Sequence, residues 1–199
     1  MNRKALLAAL AATAVAMAGP AIASATDSPE LPSGVDQAYL ADSDGNPENG
    51  SLTLVGTLSM TSGGTVTCNT DFTVDFFDDG TSTVSDWVLS NCVLVGAPSC
   101  NVAVFPTQFS WGNRFGYDTS SGTYKDYIDI VTDFSLGTGC PFTGTFSQQG
   151  VLSPTVSVAS GTISYAFSSG SGSLTSPFGP ATWSGTLTGS VGPGTQLVA

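Results

Sequence analysis

Not one histidine occurs among the 199 residues, and that absence removes Ser-His-Asp and Cys-His nucleophile activation and most catalytic zinc sites. No G-x-S-x-G elbow, P-loop or dinucleotide fingerprint is present. What chemistry remains rests on carboxylates. Asp126, Asp129 and Asp133, beside Tyr124 and Tyr127, are the residues from which the carboxylate pair of a glycoside hydrolase would be drawn. Against that, Asp129 and Asp133 alternate with Ile128 and Ile130 and read as the polar face of a strand. The run Asp42-Ser43-Asp44-Gly45-Asn46-Pro47-Glu48 concentrates oxygen donors like the front of a calcium loop. Its glycine is misplaced for an EF-hand and no glutamate closes it, so a solvated acidic turn is the plainer reading. No metal and no cofactor is expected.

Four cysteines, Cys68, Cys92, Cys100 and Cys140, carry the second kind of chemistry. They lack CxxC spacing, and with no histidine a zinc site is disfavoured; an even count in an exported chain reads as two disulfides. The residues around Cys68 choose the pairing. Val66, Cys68, Phe72, Val74 and Phe76 alternate with Thr65, Thr67, Asp71, Thr73 and Asp75, Asp78-Asp79-Gly80 supplies a turn, and a return strand runs through Thr83, Val84, Trp87, Val88 and Leu89. A reversal near Gly80 brings Cys92 opposite Cys68, leaving Cys100 for Cys140. A third set of residues suits binding: Phe109, Trp111 and Tyr117, with Trp183 further on, are candidates for an aromatic ligand surface, although aromatics of a small domain more often fill its core.

Residues 1–25 read as a secretory signal peptide. Arg3 and Lys4 open it, an Ala-rich apolar run from Ala5 to Ala18 follows, and Ala23-Ser24-Ala25 fits the cleavage pattern. That run is short of the ~20 apolar residues a bilayer span requires, so no membrane span is expected in the mature chain. Beyond the leader only Arg114 and Lys125 face 15 acids, which disfavours nucleic acid and anionic membrane as partners. No charged side chain follows Asp133. A Ser/Thr-rich solvated sheet explains this, and so would a surface for self-association or sugar contact.

These residues require short strands to hold them. Leu52, Leu54, Leu58 and Met60 alternate with Ser and Thr, as do Ile128, Ile130, Thr132 and Phe134 with Asp129, Val131 and Asp133. Later strands are expected at Phe142 to Phe146, Thr155 to Val158, Thr162 to Phe167 and Thr182 to Val191, where Trp183, Leu187 and Val191 share a face. A tetrapeptide Gly-Thr-apolar-Ser/Thr opens at Gly56, Gly144, Gly161 and Gly185 at irregular spacing, a common strand opening and no solenoid repeat. Pro106 to Gly122 reads as aromatic and irregular, and Ser168 to Ser173 as a loop. Sustained helical periodicity is missing. The expected architecture is a single all-β domain over residues 50–199, an antiparallel β-sandwich or barrel with two disulfides. Residues 26–49 read as an acidic, partly disordered leader.

The segments TCNTDF, DDGTSTVSDWVLSNC, PTQFSW and GCPFTGTFSQQGVLSPTVSV together resemble a family of small exported bacterial proteins known as activators of alkane oxidation and as biofilm-associated surface proteins. The likeness spans roughly residues 52–158 and rests on cysteine placement, Thr/Gly strands and Cys140, Gly144, Ser153 and Pro154. The segment from Phe115 to Asp133 and the uncharged C-terminal extension depart from it. The resemblance implies export and a surface or matrix role and transfers no catalytic residue. The expectation is a secreted, extracellular or loosely surface-associated protein, not an enzyme, with a structural, adhesive or matrix role through self-association or contact with cell-surface material. Binding of an apolar or saccharide ligand is the alternative, and carboxylate hydrolysis a more distant one.

Overall fold

A computed structural model describes residues 28–107, 110–141, 143–168, 172–176 and 179–199. The expected signal peptide lies outside them. The described residues form fourteen strands and no helix. In chain order these are β1 (Val35–Gln37), β2 (Tyr39–Ala41), β3 (Gly50–Thr61), β4 (Thr65–Phe76), β5 (Ser82–Leu94), β6 (Val102–Pro106) and β7 (Trp111–Asp118). They continue with β8 (Thr123–Leu136), β9 (Gly144–Leu152), β10 (Thr155–Ala159), β11 (Thr162–Phe167), β12 (Gly172–Ser176), β13 (Gly179–Ser190) and β14 (Gln196–Val198).

All pairings are antiparallel, and the ladder closes on itself. From β7 it runs through β5, β4, β3, β13, β11, β10 and β8, and β8 returns to β7, so eight strands make a ring. Of the two architectures the alternation allowed, this is the barrel. Two strands are long enough to change partners along their length. The first half of β8 pairs β7 and β10, and its second half pairs β6 and β9. β13 pairs β12 at its start and β11 towards its end. One end of the barrel is thus built around Asn113, Phe115 and Asp126, and the other around Met60, Val66, Phe134 and Phe146. β2 and β14 form a separate two-stranded flap.

Alternation in the chain becomes inside and outside in the barrel. Even residues of β4 from Val66 to Phe76 are buried, as are Leu54, Leu58 and Met60 of β3 and Trp183 and Leu187 of β13. Seven rings pack down the middle: Phe72 meets Trp87 edge-on at 5.5 Å, Trp87 meets Trp111 at 5.5 Å and Trp183 at 5.0 Å, and Tyr165 contacts Phe72 and Phe115. Phe76 stacks on Phe115 at 5.9 Å. The barrel is filled, not hollow. Gly56 and Gly185, two openings of the recurring tetrapeptide, face each other's strands. A Cβ at Gly56 would sit 2.3 Å from the Thr186 carbonyl oxygen, and one at Gly185 would sit 2.3 Å from that of Thr57. Glycine lets β3 and β13 approach there, and Leu58 and Leu187 occupy the freed space.

Both expected disulfides are present, Cys68–Cys92 and Cys100–Cys140. The first sits at a bulge: the β4–β5 register slips between Thr67 and Asn69, and Asn91 takes φ +50° to absorb the extra residue. In the chain-entropy description the two closures, 24 and 40 residues apart in sequence, contribute about 3.5 and 4 kcal/mol.

Two expectations are corrected together. The stretch from Pro106 to Gly122 is not irregular, because it contains β7, and the part of the leader from residue 28 onward is folded, not disordered. β1 pairs β7, β2 pairs β14, and Ala38, Leu40 and Ala41 are buried. Each conceals the other in the sequence. Trp111, Asn113 and Phe115 point inward, while Gly116 lies under the leader; a Cβ at Gly116 would meet Val35 at 2.4 Å and Leu31 at 3.1 Å. A strand buried on both faces shows no apolar–polar alternation.

Candidate ligand-binding mouth

The disulfide-bearing end of the barrel opens into an apolar recess. Met60 from β3, Val66 from β4, Leu94 from β5, Phe134 and Leu136 from β8 and Phe146 from β9 form its wall. They meet because they are cross-strand neighbours: Met60 pairs Val66, Val66 pairs Leu94, and Phe134 pairs Phe146. The enclosed part measures about 40 Å³. That is more than the ~10–15 Å³ one water requires and suits the tip of a chain molecule whose body lies in the open mouth.

Behind this apolar wall lie two buried polar side chains, Gln148 and Thr132. Gln148, 1% exposed, reaches the recess from β9, and its Oε1 accepts the indole N–H of Trp183 at 3.1 Å. Its Nε2 has no partner. Thr132 lies directly across the ladder from Gln148, and its hydroxyl is also unpaired. One ring further in, Trp87 packs on Trp183 with its own indole N–H unpaired. Buried polar groups are almost always hydrogen-bonded, since leaving one unmade costs about 1–3 kcal/mol. Gln148 thus leaves one amide donor unpaired beside the recess, with the unpaired Thr132 hydroxyl across the ladder from it. No carboxylate, lysine or arginine lines the recess.

The opposite end holds a buried carboxyl. Asp126, 0% exposed, shares the inward parity of Ile128 and Ile130 and accepts both bonds of the Asn113 amide nitrogen, at 2.9 and 3.0 Å. Burial pushes its pKa up to about 7, opposed in part by Asn113 and by Tyr165, whose hydroxyl faces the carboxyl without a hydrogen bond of good geometry. The same burial, with the carboxyl beside it, holds Tyr165 far above the ordinary phenol range.

This placement separates the sequence's carboxylate candidates. Asp129 and Asp133 lie on the outer face, Asp133 accepting the Ser147 hydroxyl and Asp129 raised by partial burial. Asp126 is on the inner face. Four residues of strand put Asp129 and Asp133 roughly 13 Å apart, beyond the ~5–9.5 Å over which two carboxyls share a glycosidic bond. Parity with Ile128 and Ile130 was the available signal for Asp126. Around Asp42 the carboxylate is occupied by its own turn, accepting the backbone N–H of Asp44 and Asn46 at 2.8 and 2.9 Å, which lowers its pKa. Glu48 accepts the Thr195 hydroxyl at 2.7 Å. No group of three metal-ligating side chains occurs among the described residues.

Of the aromatic candidates, Trp111 and Trp183 are core residues, with the Trp111 indole donating to the Thr107 carbonyl at 2.7 Å. Tyr117 lies at the far end of β7 against Tyr124, 4.9 Å away, and Phe109 lies outside the described residues. Trp111, Trp183 and Tyr117 do not form one surface. Only Trp183, through Gln148, reaches the recess. Gln148, Thr132 and Phe146, which line or support it, carried no motif; only their place on the inner face marks them. Of the uncharged C-terminal strands, β11 and β13 are paired on both sides, while β14 pairs only β2 among the described residues.

The fold and this site define a closed, disulfide-held antiparallel barrel with a packed middle and an apolar mouth. No family model, curated protein or solved structure matches the chain. Two disulfides and no free cysteine point to an oxidising environment outside the cytoplasm. Among the described residues no helix is long and apolar enough to cross a membrane. The outer face of β3, β4 and β13 carries Thr and Ser hydroxyls, bonded across strands at Thr53–Thr73 and Ser59–Thr67, where a membrane barrel would present an apolar band.

Proposed function

We propose that this is an exported, non-enzymatic binding protein that takes up a neutral, largely apolar molecule by one of its oxygen atoms at the barrel mouth. The observation that carries the reading is the unpaired Gln148 amide nitrogen behind the apolar wall, with the unpaired Thr132 hydroxyl across the ladder from it. A hydrocarbon body matches Met60, Val66, Leu94, Phe134, Leu136 and Phe146, and an alcohol, ketone or ester oxygen matches the donors. An anionic head is disfavoured by a chain of net charge −11 and by a recess without a cation. Export rests on the leader and agrees with the disulfides.

Titration of tryptophan fluorescence with decane, 1-decanol, 2-decanone and decanoate tests it. Decanol and decanone are expected to shift Trp183 emission at lower concentration than decane, and decanoate to bind most weakly. Gln148→Leu should weaken the oxygenated ligands roughly three- to tenfold, the worth of one net hydrogen bond, while leaving decane unchanged. Leu136→Trp, which fills the recess, should abolish all of them. A wild-type protein that responds to none of the four ends the reading.

A further inference from the structure

At the end away from the mouth the barrel closes over a carboxyl and gives it no cation. Asp126 is 0% exposed, and three elements supply the groups around it. β7 supplies Asn113, whose amide nitrogen makes both bonds to the carboxyl, and Phe115, directly across the ladder. β11 supplies Tyr165, the one other titratable side chain facing it, with a hydroxyl that has no partner. The turn before β10 supplies the Pro154 carbonyl, which accepts the Asp126 N–H at 3.1 Å. Arg114 and Lys125 have the opposite parity on their strands, and Lys125 is paired with Asp118 at 3.3 Å. An ionised carboxylate offers about four lone-pair sites. One amide nitrogen and one phenol do not replace the water it would have outside the barrel.

A route for that water runs under the leader. A cavity of about 40 Å³ is walled by Asn113 and Phe115 on the barrel side, by Ser82 of β5, and by Gln37 and Ala38 of the leader, with Arg114 at its border. It exceeds the ~10–15 Å³ that admits a water. The amide that holds Asp126 is thus also a wall of the cavity, and its Oδ1 has no partner. The leader's hold at this place is short. β1 pairs β7 over three residues, the Ala38 N–H reaches the Phe115 carbonyl at 3.0 Å, and the outer edge of β1 pairs no strand among the described residues. Segments held this way open at lower cost than core strands.

We propose that Asp126 is a proton-operated latch for the leader: protonated, it leaves β1 closed on β7, and ionised, it draws water past Asn113 and lets β1 lift. Lifting bares the Gly116–Asp118 edge of β7, which β1 pairs. The direction follows from linkage. Burial raises the carboxyl to about 7 in the closed state, whereas in the open state water reaches it and the proton leaves at lower pH. Opening is therefore suppressed at pH 5, grows by up to about tenfold per unit towards pH 7, and levels off above. The latch and the mouth are at opposite ends of the barrel, so this proposal and the ligand reading stand or fall separately.

Amide hydrogen exchange of the disulfide-intact protein, followed by NMR from pH 5 to 8 and corrected for the intrinsic rate at each pH, tests the latch. Protection of Asp36 and Ala38 should fall by about fivefold or more between pH 5 and 7 and then level. It should stay below that of Phe72 and Val74 in β4, which report opening of the whole barrel. In Asp126→Asn, which cannot ionise, Asp36 and Ala38 should keep the same protection at every pH. A smaller fall in the wild type, an equal fall in Asp126→Asn, or leader protection matching that of Phe72 and Val74 throughout would each overturn the proposal. The wild-type series decides the matter by itself if the variant does not fold.

Discussion

At the scale of single residues the chain's most unusual choice is Asp126, a carboxyl closed inside a barrel with an amide and a phenol as company. Its pKa, raised to about 7 by burial, gives an uncommon pH dependence. A carboxyl whose folded pKa lies above its unfolded one binds a proton in the native state that the unfolded chain has released. Its contribution is therefore present at low pH and is lost as pH rises from about 4 through 7. Between pH 5 and 8 the loss should reach about 3 kcal/mol, at 1.36 kcal/mol per unit over the interval in which only the native form is protonated. Urea unfolding at a series of pH values should show the midpoint falling over that range in the wild type and level in Asp126→Asn. Asn113, whose Oδ1 has no partner, can turn its amide to pair with an asparagine at 126. A wild-type midpoint that rises with pH from 5 to 8 would contradict this.

At the scale of elements, contact between β3 and β13 closes the ring from the C-terminal side, and glycine makes it possible. Gly56→Ala would push a methyl group into the Thr186 carbonyl, which is backbone and cannot swing aside. A loss of about 3 kcal/mol, at the upper end of overpacking costs, is expected. Alanine at Gly34, where a Cβ meets nothing within 4 Å, would suffer only from its positive φ of 83°, so its cost should be smaller. Guanidinium midpoints of the two variants check the order. The leader belongs to this scale too: β1 covers Gly116, and β2 with β14 makes the two-stranded flap.

For the whole molecule the decisive feature is closure. An open sheet of uncharged Ser/Thr strands would invite edge-to-edge assembly, whereas the ring pairs its eight strands on both sides and leaves one-sided pairing to strands outside it, such as β1, β6 and β14 among the described residues. Closure also makes the two ends distinct, one apolar with free donors and the other built around Asp126. Both disulfides lie towards the apolar end, where no ladder joins β5 to β6 among the described residues. Replacing Cys100 and Cys140 with serine should cost about 4 kcal/mol on the entropy description. It should also loosen the β6 side of the mouth, so that ligand affinity falls along with stability. Calorimetric unfolding with and without ligand measures both.

Read as letters, the chain declared its strands, its inward residues and its disulfide partners, because alternation and hairpin register depend on neighbours close in sequence. Its lack of histidine also removed Ser-His-Asp and Cys-His nucleophile activation. The meeting of Gln148, Thr132, Trp183 and Trp87 was beyond such reading, as was the parting of Asp126 from Asp129. Those depend on which distant strands become neighbours when the sheet curls shut. β7 and the leader were hidden for the same reason: each is buried by the other, and a strand covered on both faces loses the pattern that would announce it. Local periodicity sets which way a side chain points; only closure of the barrel settles what it points at.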